Sequence, residues 1–255
     1  MGSICVGVVG ATGRMGRTVC DAVVAAEGLE LVALVDIHGS DMIHGIQVSP
    51  DLHALLDASC DVVVDFTTAE AARETLPFLA QHGIHAVVGT TGFDDRDLVA
   101  FESAFEASAA NCLIAANFAI SAVLMMRFAA EAAALFDTAE IIELHHDEKI
   151  DAPSGTALAT ARMMTPSETG WADDPTQVEE PAGSRGGIGP NGVRIHSVRM
   201  RGMTAHQEVI LGAQGQTLTI RQDSYDRTSF MPGVVLACRR ISGAAGLTVG
   251  LDALL

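Results

Sequence analysis

Two periods of apolar and polar residues alternate along the first half of this chain. Runs that are apolar almost throughout, at 4–9, 29–36, 61–66, 84–89 and 112–117, predict β-strands covered on both faces. Between them apolar positions return every three or four residues, up to about residue 26 and over 51–58, 70–81 and 94–108, which is the spacing of helices with one buried side. Strands and helices in strict alternation build βαβ units, so the predicted class is α/β with a parallel sheet.

A second grammar begins after residue 117. An Ala- and Met-rich stretch, 120–136, reads as a helix, and 140–145 as a strand followed by a short helix over 155–164. The strands predicted at 193–200, 207–211 and 216–221 alternate in character, and Gly212-Ala213-Gln214-Gly215 supplies a turn between the last two. That pattern fits a smaller α+β substrate domain with an open mixed sheet. The stretch 165–192, rich in Pro, Gly and acidic residues, reads as a long mobile loop, and 231–241 as a final helix with Pro232 in its first turn. The expected plan is a cofactor domain over 1–117, an inserted domain over 118–229, and a C-terminal helix and tail, 230–255, returning to the first domain.

Composition narrows the partners. In 255 residues that are 49% apolar there is ample material for a core. The 32 acidic residues against 15 basic ones, a formal charge of -17, oppose nucleic-acid backbones and anionic membranes, so a small molecule is the expected partner. A phosphorylated cofactor would then need locally aimed N–H groups and arginines, which draws attention to Arg14 and Arg17. Five cysteines without a C-x-x-C pair read as reduced, mostly buried thiols of a cytoplasmic protein. The most apolar region, 109–126, is broken by Asn111, Asn117 and Ser121, so neither a membrane span nor a signal segment is expected.

The opening strand runs directly into Gly10-Ala11-Thr12-Gly13-Arg14-Met15-Gly16. Gly10 permits a tight turn, Gly13 lets the backbone approach a pyrophosphate, and Gly16 lets the helix pack closely on the sheet. About twenty residues on, Asp36 closes the second strand, where a carboxylate can accept hydrogen bonds from an adenosine ribose. The same charge repels a 2′-phosphate, which favours NADH over NADPH. Gly89-Thr90-Thr91-Gly92 ends a later strand on the same carboxyl edge, where ligands collect in a doubly wound sheet of the Rossmann type.

The chain's one lysine, Lys149, stands among fourteen arginines, in His145-His146-Asp147-Glu148-Lys149-Ile150-Asp151-Ala152-Pro153-Ser154-Gly155-Thr156. An ammonium can give up a proton where a guanidinium does not, so proton chemistry is the reading that explains its retention. Ser154 is a good N-cap, which would leave Gly155 and Thr156 at the first helical positions with N–H groups free for a carboxylate. The blander readings are an exposed polar loop or a metal cluster at residues 145–148, but four consecutive residues rarely converge on one ion, and no metal is expected.

Val6-Gly7-x-x-Gly10-x-x-Gly13-x-x-Gly16, Gly89-Thr90-Thr91-Gly92-Phe93, Ala115-Ala116-Asn117-Phe118 and the segment from Glu143 to Ala157 together resemble the 4-hydroxy-tetrahydrodipicolinate (dihydrodipicolinate) reductase family, in an actinobacterial form. The likeness continues through His196 to Gly202, His206 to Glu208 and Asp226 to Phe230. It implies an NADH- or NADPH-dependent oxidoreductase of lysine and diaminopimelate biosynthesis, with 118–229 serving substrate binding and assembly into a homotetramer. It implies cofactor contacts at Gly10 to Met15, Asp36, Gly89 to Thr91 and Ala115 to Phe118. It also implies proton donors at His145 and Lys149, and substrate contacts at His146, Gly155 and Thr156. Which of His145 and Lys149 gives the decisive proton stays open. Ile37 stands where some members carry an Arg that receives the 2′-phosphate. Rival readings are another two-domain dehydrogenase of a small amino or keto acid, such as an aspartate or homoserine dehydrogenase, and a dinucleotide sensor without turnover.

Overall fold

Strand β1 (Ile4–Val9) is the axis of the first sheet, its last four residues being buried on both faces. The computed structural model, which describes residues 2–39 and 41–255, continues through α1 (Arg14–Ala25), β2 (Leu29–Val35), β3 (Met42–Ile43), β4 (Ile46–Ser49), α2 (His53–Asp57), β5 (Val62–Asp65), α3 (Ala69–Gln81), β6 (His85–Val88), α4 (Asp95–Glu106) and β7 (Cys112–Ile114). There follow α5 (Ile120–Ala133), β8 (Thr138–His145), α6 (Gly155–Met163), β9 (Gly187–Ile188), β10 (Arg194–Arg199), β11 (Ala205–Ala213) and β12 (Gln216–Ser224). Helix α7 (Met231–Arg240) and β13 (Leu247–Val249) complete the chain. Contacts divide it into one unit of Met1–Ile120 with Arg227–Leu255, and a second of Ser121–Asp226.

The first unit holds an eight-stranded sheet in the order β13-β7-β6-β5-β1-β2-β4-β3, parallel except for the β3–β4 hairpin. One layer of the core joins the sheet to α2, α3 and α4 through Leu55, Leu76, Leu79, Phe101 and Phe105. Helices α1 and α7 pack together and against the sheet. The α/β class and the doubly wound sheet are as the apolar pattern predicts. Two pieces escaped it. The hairpin β3–β4 turns through His44 and Gly45, both at positive φ, and is too short to show a period. Strand β13, expected only as tail, adds to β7 at the sheet edge with Leu247 beside Cys112.

The second unit is an open mixed sheet, β12-β11-β8-β10-β9, in which β8 and β10 are parallel and the other pairs antiparallel. Ile141, Ile195, Val209 and Leu211 bury one face against Met125 and Ala129 of α5 and Ala157 and Ala161 of α6. The stretch 165–192, read as one long loop, contains β9 and a 3-10 turn at Pro190–Gly192, and it is pinned at its ends. Trp171 Nε1 donates to Asn191 O at 2.9 Å, Arg194 pairs with Asp174, and Asn191 Nδ2 donates to three carbonyls at the end of α6. Pro and Gly obscure such anchoring because they erase periodicity without preventing contacts.

Helix α7 closes on the first unit at Gly233, where a Cβ would lie 2.0 Å from Phe118 O and 2.9 Å from Leu251 Cδ2. Gly233→Ala is expected to destabilise the protein by about 1–3 kcal/mol or more, because the nearer obstacle is backbone. A denaturant midpoint equal to that of the parent would contradict this packing.

Candidate active site

In the first unit, Val9 pairs with Val35 and Asp65, and Asp65 with Val88, so four strands release their chains at one edge. Strands β2 and β5 flank β1 on opposite sides, which makes this edge the switch point of the sheet and opens a crevice there. Gly10 has φ +79°, a left-handed conformation open chiefly to glycine. A Cβ on Gly16 would lie 2.0 Å from Gly10 O, so α1 can start against the turn only with glycine there.

The turn consumes more of its own N–H groups than the glycine spacing suggests. Gly10 and Ala11 donate to Val35 O at 2.8 and 3.2 Å, Gly13 donates to Gly10 O at 3.1 Å, and Thr12 donates to Asp36 Oδ2 at 3.0 Å. Of the run from Gly10 to Met15, the N–H groups of Arg14 and Met15 lie in the first turn of α1, where no earlier carbonyl is in place to accept them. Gly13, the N-cap, contributes no side-chain cap. Arg17, one of the two arginines considered for a phosphate, is committed elsewhere. Its Nε donates to Thr12 O at 3.2 Å and its Nη2 to Asp41 at 2.6 Å. Arg14 is exposed.

Asp36 is buried. One oxygen accepts from Thr12 Oγ1 at 2.7 Å and the other from His38 N–H at 3.0 Å. Burial alone would raise its pKa, but the hydrogen bonds from Thr12 and His38 outweigh that and hold it below the ordinary carboxylate range. A cavity of about 440 Å³ lies beside it, lined by Gly10, Thr12, Ile37, His38, Phe66 and Thr67 among others, within the size range of small-molecule sites. Phe66 and Thr67 were not anticipated. Their signal was Asp65-Phe66-Thr67-Thr68 at the end of an apolar strand, on the same edge as the glycines.

The remaining residues of the first unit fall differently. Gly89 packs under Phe66, where a Cβ would meet Cε1 at 2.0 Å. Thr90 is buried and points inward, its Oγ1 donating to Asp65 Oδ1 at 3.3 Å, whereas Thr91 is exposed. Ala115 and Phe118 are buried, Phe118 against Phe66 with ring centroids 5.6 Å apart, while Ala116 is exposed. Asn117 Oδ1 accepts from Ala119 N–H at 2.9 Å. Contacts from Thr90, Ala115 or Phe118 to a ligand are therefore left to the backbone.

In the second unit a buried carboxylate holds one of the predicted residues, His145, directly. Glu143 and His145 lie two apart on β8 and so share a face. Glu143 is wholly buried, and its Oε2 accepts from His145 Nδ1 at 2.5 Å and from Arg199 Nη1 at 2.9 Å. Its Oε1 accepts from Arg199 Nη2 at 2.8 Å and from Ser154 N–H at 3.2 Å. Burial would lift the Glu143 pKa, but the hydrogen bonds from His145, Arg199 and Ser197 hold it at about 2. Ser154 caps α6 as expected, its Oγ accepting from Ala157 N–H at 3.2 Å, which leaves Gly155 and Thr156 at the start of the helix. Lys149 Nζ donates to both oxygens of Asp151, at 2.7 and 2.9 Å. His146 is exposed in the turn between, and Asp147 accepts from Arg201 Nε at 2.9 Å. Glu143 and Arg199 are the residues sequence reasoning left without a role. Both stand inside the segments that carry the family resemblance, and each is a charge placed where the strand alternation calls for an inward residue.

Both halves of the chain match models of one family: residues 4–118 match the N-terminus of dihydrodipicolinate reductase and residues 121–255 its C-terminus. The chain belongs to the dihydrodipicolinate reductase family. The 4-hydroxy-tetrahydrodipicolinate reductase of Corynebacterium aurimucosum is 50% identical over 253 residues, 98% of each chain. That of Nocardia farcinica is 50% identical over 255 residues, again 98% of each. A solved dihydrodipicolinate reductase from Paenisporosarcina sp. TG-14, with dipicolinate bound, superposes with a TM-score of 0.91 at 38% identity, covering 99% of this chain and 100% of its own. As a dihydrodipicolinate reductase family member, the chain is an oxidoreductase that uses a nicotinamide dinucleotide. No helix among the described residues is long and apolar enough to cross a membrane.

The depressed Glu143 pKa has a consequence for stability. Its contribution is fully present above the ordinary value of 4.5 and is lost as pH falls toward about 2. Glu143→Gln should be less stable than the parent by a few kcal/mol at neutral pH, since it leaves the partly buried Arg199 guanidinium without its counter-charge. The gap should narrow as pH drops below 4.5. A gap independent of pH, measured by denaturant titration, would contradict an ionised Glu143.

Proposed function

We propose that this chain reduces 4-hydroxy-tetrahydrodipicolinate to tetrahydrodipicolinate in the route to diaminopimelate and lysine, with the second unit supplying the proton. The observation that carries the reading is His145 held by a buried carboxylate at Nδ1, in the same unit as the chain's only lysine and the start of α6, where the Ser154 cap takes the N–H of Ala157 and not those of Gly155 and Thr156. His145 is thereby left with Nε2 as the nitrogen that can meet a substrate. Lys149 has three N–H bonds, of which Asp151 takes two. Loss of the 4-hydroxyl as water gives the unsaturated cyclic imine; hydride addition to its C4 then builds negative charge on the substrate, and an acid that protonates that charge lowers the barrier, typically by a factor of about 10² to 10⁴. The N–H groups of Gly155 and Thr156, with His146, would hold a carboxylate of this dianionic substrate.

The glycine turn fits a dinucleotide. It has the tight left-handed Gly10, a helix start without a side-chain cap, and an ionised Asp36 beside a cavity. Arg14 and Met15 N–H would take the pyrophosphate and Asp36 the adenosine ribose, with Thr12, Gly13, Gly89 to Thr91 and Ala115 to Phe118 forming the rest of the cofactor's surroundings. Bound reduced nicotinamide supplies the hydride. NADH is the preferred form, because Asp36 is ionised, Ile37 beside it carries no charge, and Arg17 is already paired with Asp41. We further infer a homotetramer built through the uncovered face of the five-stranded sheet, where Ile142, Leu144 and Ile210 are only half-buried. The unpaired state of all five cysteines suits the cytoplasm.

The assay is loss of nicotinamide absorbance on adding the cyclic imine made in situ from pyruvate and aspartate semialdehyde. Turnover is expected, and no consumption with either nicotinamide would reject the reading. Lys149→Arg should bind NADH normally and lose about 10²-fold or more in kcat. Near-normal turnover would mean that charge alone suffices. Asp36→Ser should move preference toward NADPH while weakening NADH, and an unchanged ratio of the two kcat/KM values would contradict its role.

A further inference from the structure

Besides the hydroxyl of Ser197, the donors to the Glu143 carboxylate all belong to the acid site or to the residue that locks it. The carboxylate binds His145 at Nδ1, the N–H of Ser154 that precedes α6, and both terminal nitrogens of Arg199. Arg199 Nη2 also donates to Asp151 O at 2.6 Å, and Asp151 is the residue whose carboxylate holds Lys149. One ion pair thus touches the histidine, the start of the substrate-facing helix and the loop that carries the lysine. It lies deep, Glu143 at 0% and Arg199 at 19% side-chain exposure. A buried ion pair is a poor source of stability, since well-packed apolar residues of similar volume often serve as well or better. What an apolar pair cannot do is choose a proton position.

A carboxylate only accepts hydrogen bonds, so the ring nitrogen facing it must carry hydrogen whether the imidazole is neutral or charged. Nδ1 is that nitrogen, which leaves Nε2 as the atom that gains and loses the proton. Glu143 cannot turn away, because donors from β10, from the loop before α6 and from β8 itself hold both its oxygens. We propose that Glu143 and Arg199 are positioning residues for proton delivery: Glu143 fixes the tautomer and ring orientation of His145, and Arg199 locks Glu143 while pinning the Lys149–Asp151 loop to the end of β10. This rests on the reading of His145 and Lys149 as the acid site.

The first test uses the unaltered protein. With 15N-histidine labelling, long-range 15N–1H correlation at a pH where His145 is neutral should show a protonated Nδ1 and a bare Nε2, assigned by the signals missing in His145→Gln. A bare Nδ1, or rapid averaging between tautomers, would overturn the proposal with no variant needing to fold. Glu143→Gln should then lose the fixed tautomer and about 10²-fold or more in kcat, with NADH affinity retained as the sign of an intact first unit. Glu143→Asp, which keeps the acceptor charge, should recover part of that loss. Arg199→Lys keeps a charge but not the fork, and should lower kcat about 10-fold with the tautomer preserved. Parental kcat in Glu143→Gln would sink the proposal. Absence of turnover in the parent protein would sink the assigned reaction instead, leaving the tautomer measurement to decide the geometry.

Discussion

Buried carboxylates at strand ends organise this molecule. Asp36 follows β2, Asp65 ends β5 and Glu143 lies two residues before the end of β8. A carboxylate out of water must find donors: those of Asp36 and Asp65 come from the loops just beyond the strands, and those of Glu143 from the ends of β8 and β10 and the loop before α6. Asp36 takes the N–H and hydroxyl of Thr12 and the N–H of His38. Asp65 takes the N–H and hydroxyl of Thr67, and the hydroxyl of Thr90. Glu143 takes His145, Ser154 and Arg199. The three differ in outcome. Hydrogen bonds keep Asp36 and Glu143 ionised, whereas burial raises Asp65, whose Oδ2 finds no partner among the described residues. Irregular backbone at the ligand edge is therefore anchored to regular backbone by an obligation of charge.

The acidity of the chain sharpens the point. With a formal charge of -17, a general field cannot gather anionic ligands, and attraction has to be local. The first unit offers the start of α1 and the second the start of α6, both at the edges where those carboxylates hold the loops. The basic side chains nearby are largely committed. Arg17 serves Thr12 and Asp41, Arg199 serves Glu143 and Asp151, and Lys149 serves Asp151. Fixed dipoles attract an anion without contributing a mobile counter-charge of their own.

Much of this was legible beforehand where physics acts along the chain. The apolar runs of β1, β2, β5 and β6 announced a doubly covered parallel sheet, and the glycines after β1 announced a close approach. Ser154 was recognisable as a cap because capping is a contact over three residues. What the sequence hid was contact at a distance. Arg199 meets Glu143 across 56 positions, and Phe118 meets Phe66 across a shorter but equally unpatterned gap. The inward turn of Thr90 was hidden too, since one Thr reads like the next until Asp65 is seen behind it. Spacing named the glycine run as a ligand surface but could not say that four of its six N–H groups are spent on holding the turn itself.

Helices α3, α4 and α6 each begin with a side chain that covers a backbone N–H: Thr68, Asp94 and Ser154. Helix α1, equally long with α4, begins at Gly13 with nothing of the kind. A serine there would give the free protein a firmer helix by only a few tenths of a kcal/mol, and would also occupy a donor on which the proposed pyrophosphate depends. Selection for robustness and selection for affinity thus pull this one position in opposite directions, and the apoprotein carries a permanently under-secured first turn that its own ligand would complete.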